Sequence, residues 1–163
     1  MALGDNTLAS ARGTSQRGRN PYMVQTELNM ATALSDKGSA LAASDVIPVI
    51  AVKKGTMILN AGIEVVTATS AGTSTCDLGT GVDADAFVDG FDSSSGSAAG
   101  TLSQNPAAYQ PIMCVADDNI DLTLATQSGT AMTTGKLRIW AVLMDCTDMG
   151  DMAADEVDRD ALA

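Results

Sequence analysis

Apolar and polar residues alternate along much of this chain with a period of two, the spacing of a half-buried β-strand. Over residues 22–30, Val24, Thr26, Leu28 and Met30 fall on one side, and Gln25, Glu27 and Asn29 on the other. Small residues and a Lys-Gly-Ser turn at 37–39 follow, with room for a short helical turn between 31 and 45. Residues 46–52 form an apolar, β-branched strand. Pro48 cannot donate a ladder hydrogen bond, so this strand belongs at an edge or carries a bulge. Lys53-Lys54-Gly55 predicts a turn, 56–60 a short strand, Asn60-Ala61-Gly62 a second turn, and 63–69 the next strand. In residues 73–78, Thr73, Thr75 and Asp77 alternate against Ser74, Cys76 and Leu78.

The segment 79–105 reads as a long loop with one apolar island, Ala86-Phe87-Val88, and a Ser/Gly tract at 93–100. A loop of this length in a small domain is usually functional or mobile. Strand character resumes at 111–115, turns at 117–119, and returns at 120–125, where Ile120, Leu122 and Leu124 alternate with Asp121 and Thr123. Residues 127–135 read as a hairpin-like connection. The strongest strand is 136–145: Leu137, Ile139, Ala141 and Leu143 face one way, Arg138, Trp140, Val142 and Met144 the other. Both faces are largely apolar at its far end, which predicts a central strand or one covered by a neighbouring subunit. About eight short antiparallel strands with no long helix predict an all-β fold, a single β-sandwich of jelly-roll type. That domain spans 22–145, between an N-terminal arm (1–21) and an acidic C-terminal tail (146–163). Met152 to Leu162 in the tail could form a short helix, although its acid density also suits a solvated segment.

Composition narrows the core. Hydrophobic residues make up 45% of the 163 positions but aromatics only 3%, so Val, Ile, Leu, Met and Ala must fill the interior. Trp140, Tyr22, Tyr109, Phe87 and Phe91 are expected as core or interface anchors. The net charge of −11 argues against nucleic acid as the main partner, since duplex binders present a basic face. Charge is unevenly placed: residues 1–54 sum to +2 and residues 55–163 to −13. Such a split serves solubility first and can also provide contacts between neighbours in an assembly. Cys76, Cys114 and Cys146 are too widely spaced for a metal or redox motif, and an odd count is no disulfide framework. They fit a reducing cytoplasmic origin, with Cys76 and Cys114 as small core residues. The first residues lack the apolar core of a signal peptide, and no apolar run reaches membrane-spanning length, so neither export nor a membrane partner is expected.

Catalytic chemistry is hard to assemble from these residues. Histidine is absent, which removes the commonest general base and metal ligand. There is no Ser-x-x-Lys, no nucleophile elbow, no phosphate-binding glycine loop and no dinucleotide fingerprint. No enzymatic activity and no cofactor are expected. The one carboxylate cluster is Asp83, Asp85, Asp89 and Asp92. Oxygen ligands at close spacing suit calcium, but Phe87 and Val88 occupy positions where the EF-hand pattern needs Asp and Gly, and Gly90 is misplaced for that turn. These aspartates read first as turn caps and only second as calcium ligands.

Five stretches carry a family resemblance: Lys-Gly-Ser-Ala-Leu-Ala-Ala-Ser-Asp-Val-Ile at 37–47, Ala-Gly-Ile-Glu-Val-Val-Thr-Ala at 61–68, Asp-Ala-Asp-Ala-Phe-Val-Asp-Gly-Phe-Asp at 83–92, Pro-Ala-Ala-Tyr-Gln-Pro-Ile at 106–112, and Gly-Lys-Leu-Arg-Ile-Trp-Ala-Val-Leu-Met-Asp at 135–145. Together they resemble small virion structural proteins of tailed bacteriophages, notably those of cyanobacterial and marine phages, over residues 22–146. The resemblance implies a capsid decoration (cement) protein. Such a protein is a compact β domain, made in the host cytoplasm, that sits on the capsid exterior, bound to the major capsid protein and to itself as a homotrimer. It also implies that Arg12, Arg17 and Arg19 serve as a docking arm, and that Leu137, Ile139, Trp140 and Val142 are candidates for the subunit interface. The alternative is a tail or fibre component whose 79–105 loop binds a host-surface receptor.

Overall fold

A computed structural model describes residues 20–103, 105 and 109–146. Eight strands and one short helix follow in chain order: β1 (Tyr22–Asn29), α1 (Met30–Lys37), β2 (Val46–Val52), β3 (Thr56–Thr67), β4 (Thr73–Thr80), β5 (Val88–Asp92), β6 (Ile112–Met113), β7 (Asp118–Ser128) and β8 (Lys136–Asp145). They form two four-stranded antiparallel sheets, ordered β1-β8-β3-β6 and β2-β7-β4-β5. The order follows from doubling the chain back between β4 and β5. That fold sets β1 beside β8, β2 beside β7, β3 beside β6 and β4 beside β5, and each of these pairs is hydrogen-bonded. Rolling the doubled chain then joins β8 to β3 and β7 to β4. This is the jelly roll expected from the alternating pattern.

The strand alternation becomes the core. On β8, Leu137, Ile139, Ala141 and Leu143 are buried, and each is followed by a half-exposed neighbour. From the other sheet, Ile120, Leu122 and Leu124 of β7 and Cys76 and Leu78 of β4 pack into the same cluster. Most of these side chains are aliphatic, in keeping with the scarcity of aromatics.

Several sequence readings shift in detail. Asn60-Ala61-Gly62 is no turn: β3 runs unbroken from Thr56 to Thr67 and absorbs the irregularity as a bulge between Ile58 and Asn60. Gly62 is needed because the Trp140 ring lies over it, and a Cβ there would sit 2.5 Å from the indole. The 127–135 connection is not a hairpin, since β7 and β8 lie in different sheets. Met30 leaves β1 to become the buried first residue of α1. The Asn29 side chain caps that helix by accepting from Ala31 N–H at 3.0 Å, and Gly38 ends it in the left-handed conformation at φ 70°. Pro48 meets both expectations, because β2 is an edge strand and its register slips between Pro48 and Ile50.

The register defines two ends. At one end lie Asn20 and Cys146, the 53–55 and 114–117 turns, and the 81–87 connection from β4 to β5. At the other lie α1 and the loops 68–72, 93–100 and 129–135. Both described termini therefore leave from the same end.

Candidate docking surfaces

The outer face of the first sheet changes character along its length. Its lower rows are ionic: Glu27, Arg138 and Glu64 stand side by side across β1, β8 and β3. Lys136 donates to Glu27 at 2.7 Å, and Arg138 to Glu64 at 2.6 Å. The Lys136 ammonium holds the Glu27 carboxyl below its ordinary range by hydrogen bonding and charge. Trp140 follows, half-buried over Gly62 and flanked by Gln25. Beyond it the rows turn apolar, with Met23 beside Val142, Met144 beside Met57, and Met57 beside Met113. Methionine is flexible and polarisable and adapts to varied contact surfaces.

The outer face of the second sheet is acidic by contrast. Asp121 sits between Pro48 and Gly79, and Asp77 is beside Thr123. Asp77 accepts from Gly90 N–H at 2.7 Å. One Asp121 oxygen is buried without a hydrogen-bond partner. Burial, then the nearby Asp118 charge, raises its carboxyl above the ordinary range.

The four aspartates singled out in the sequence divide between two places. Asp83 and Asp85 lie in the β4–β5 connection, where a hydrogen bond between their carboxyls raises Asp83. Asp89 and Asp92 lie on β5, and hydrogen bonds from the Ser94 hydroxyl and then from Ser94 N–H, at 2.9 Å, lower the Asp92 carboxyl. Among the described residues, no three His, Cys, Asp or Glu side chains gather in a way that could hold a metal ion.

Of the four interface candidates on β8, Leu137 and Ile139 are fully buried in the sandwich core. Their alternation marks the inward face, so only Trp140 and Val142 stand on a surface that another chain could touch. Arg12, Arg17 and Arg19, the arm up to residue 19, and the tail from residue 147 lie outside the described residues.

The span 79–105 is not one loop. β4 continues to Thr80, Phe87 is fully buried against Tyr109, and β5 occupies 88–92. Further on, Ser103 N–H donates to Ile63 C=O at 2.8 Å and Val65 N–H to Thr101 C=O at 2.9 Å, which pins 100–103 along the edge of β3. The cysteines fit the sequence reading. Cys76 is buried, donates to Ser93 Oγ at 3.0 Å, and is pushed up to about 12 by burial. Cys114 is also buried, and Cys146 is half-exposed.

Two features had no sequence signal. One is a cleft of about 510 Å³ where α1 meets the open edge between β1 and β2, lined by Leu28, Leu41 and Ile47 with Glu27, Asp36 and Asp45 at its rim. There Lys37 bridges Asp45 at 2.5 Å. The other is an apolar end. Seven large hydrophobic residues are exposed among the described residues, and Tyr22, Met23, Val82, Met113 and Val115 all belong to the end where the termini leave.

No family model and no curated protein matches the chain. Its fold does match solved structures. A chain of the capsid asymmetric unit of cyanophage Pam1 superposes with a TM-score of 0.59 at 13% identity, over 88% of this chain and 96% of that one. A chain of the capsid of Ralstonia phage GP4 does so with a TM-score of 0.54 at 14% identity, over 79% and 86%. At such identities the likeness is one of fold.

Proposed function

We propose that this chain is a virion structural protein without catalytic activity: a decoration (cement) protein that binds the outer head shell of a tailed phage and stabilises it against the pressure of packaged DNA. The observation that carries this reading is the fold match. A small jelly roll coincides with nearly the whole of a chain found in a phage capsid, so the likeness extends to a complete small protein. The lack of histidine and the surface character agree with a role fulfilled by contact area. The partners in this reading are the major capsid protein and further copies of the chain, assembled as a homotrimer. The half-buried Trp140 and Val142 are suitable contacts between copies. The arm with Arg12, Arg17 and Arg19 reaches the shell or a neighbouring copy, where ordering on contact lets a short segment cover a large area.

The test is to locate the protein on intact particles by cryo-electron microscopy and count its copies. Many copies on the outside of the head are expected. A few copies confined to the tail would overturn the reading in favour of host adsorption, although the pinned 100–103 segment leaves less of the 79–105 span free for a receptor than the sequence implied. Deleting residues 2–20 should lower head occupancy. Sedimentation of the free protein as a monomer at micromolar concentration would remove the trimer.

A further inference from the structure

Val82 is 94% exposed and Val115 82% exposed, each at the tip of a turn. Turn tips favour Gly, Asn, Asp and Ser, which supply the backbone geometry or hydrogen bonds that valine lacks. Neither side chain contributes to the core, so folding gives no reason for them. Tyr22, Met23 and Met113 are exposed at the same end and extend the surface toward the methionine rows of the first sheet. Around this apolar centre lie Asp83, Asp85 and Asp118, none with a cationic partner among the described residues. Lys53 is engaged by Asp117 at 2.7 Å, and the Lys54 ammonium has no ion-pair partner among the described residues.

We propose that this end of the sandwich seats on a different protein, whose contact surface is apolar at its centre and basic at its rim. The inference rests on the decoration reading and names the face that does the docking. Two observations select this occupant over a second copy of the chain. Apposing two copies through this end would bring together two rims that each carry Asp83, Asp85 and Asp118 against Lys54, so like charges outnumber the possible pairs, and like charges across an interface are strongly disfavoured. The described chain also enters at Asn20 and leaves at Cys146 on this end, so the arginine-bearing residues 1–19 and the acidic residues 147–163 are both joined to the fold here. Of the large hydrophobic residues exposed among the described residues, only Val46 and Leu102 lie elsewhere, one on each sheet.

The test uses the full chain and heads of the encoding phage stripped of it. Wild type should rebind, and rebinding should weaken as salt screens the rim. The double variant Val82→Asp, Val115→Asp should keep the wild-type melting temperature and sedimentation but lose about tenfold or more in occupancy, as expected for charge placed in an apolar contact. A second readout is methionine oxidation followed by mass spectrometry. Met113 should be protected on the particle and reactive in the free protein, with the buried Met30 and Met132 as internal controls. If wild type rebinds while the double variant rebinds equally and Met113 stays reactive, this inference fails and the decoration reading stands. Wild type that does not bind heads at all removes both. Protection of Met113, which lies at the sheet edge away from Val142, that grows with concentration in the free protein identifies a second copy as the occupant of this end and overturns the proposal.

Discussion

The two ends of the sandwich differ in what they leave exposed to solvent. At the end away from the termini, the loops satisfy one another. The Ser70 hydroxyl donates to Ala131 C=O at 3.1 Å and accepts from Thr133 N–H at 2.8 Å and Thr134 N–H at 3.2 Å. Gly72 N–H reaches Thr130 C=O at 2.9 Å, and Ser95 N–H reaches Ala71 C=O at 2.9 Å. Lys37 and Asp45 close the base of α1. At the terminus-bearing end, the turns present valines and methionines to solvent, and Asp83, Asp85 and Asp118 have no cationic partner among the described residues. Backbone polar groups need partners, and the turns of the second end find them within the chain too: Gly55 N–H reaches Cys114 C=O at 2.8 Å and Cys146 N–H reaches Gly55 C=O at 2.8 Å. The second end displays apolar surface that solvent does not reward. An end sealed by its own hydrogen bonds is structurally complete. An end that leaves apolar area uncovered is where a partner gains the most by binding.

The comparison can be broken by mutation. The largest effect is expected at Phe87, which anchors the terminus-bearing end from inside by packing fully buried against Tyr109. Phe87→Ala should lower stability by about 3–5 kcal/mol in a denaturant melt, the usual result of removing a buried phenyl ring. A loss within experimental error would mean that this end is not closed by that ring. Next comes Ser70→Ala at the sealed end, which leaves two amides and a carbonyl without their hydroxyl partner. A loss of about 1–2 kcal/mol is expected, since water can reach the half-exposed site and replace part of the bonding. Unchanged stability would show that the loops are held by packing alone.

Acid should act more gently and at both ends. The carboxyls of Asp45 and Asp117 are lowered from their ordinary 3.8, chiefly by hydrogen bonds from Lys37 and Lys53 respectively. A depressed folded value means the stabilisation is complete above 3.8 and is lost as pH falls through the lower folded value. The melting temperature should therefore drop below about pH 4. Asp45→Asn should flatten that drop more than Asp117→Asn, because the Lys37–Asp45 pair is the less exposed of the two. Equal flattening would refute the ranking. The smallest effect is predicted for Val82→Ser, which should change the stability of the free protein by no more than about 0.5 kcal/mol. A larger loss would show that Val82 supports the fold and is not there for a partner.

Much of the fold was legible because alternation is a local property. β1 and β8 read directly from their period of two, and Pro48 announced an edge strand with a bulge. Elsewhere local cues misled. Asn60 and Gly62 carry turn-like chemistry, yet a bulge and the overlying Trp140 keep β3 continuous. The Val88–Asp92 strand is short and contains Gly90 at φ 67°, so nothing in its pattern separated it from a loop. Leu137 and Ile139 were grouped with Trp140 and Val142 as interface residues, although the period of two already sends the pairs to opposite faces. The docking end had no sequence signature at all. Val82 and Val115 are isolated apolar residues among polar neighbours, 33 positions apart in the chain.

The sequence by itself determined that this chain would form short strands around an aliphatic core, and that histidine-based chemistry was out of reach. Those properties depend on residue type and on spacing over two to ten positions. Only the tertiary structure decided which strands share a sheet, that both described termini leave from one end, and that five exposed hydrophobic residues lie at that end. The period of two says which side of a strand is buried, but it carries no information about the partner strand. Pairing β1 with β8 and β2 with β7 closes loops across most of the chain, and such contacts arise from the packing of the whole core.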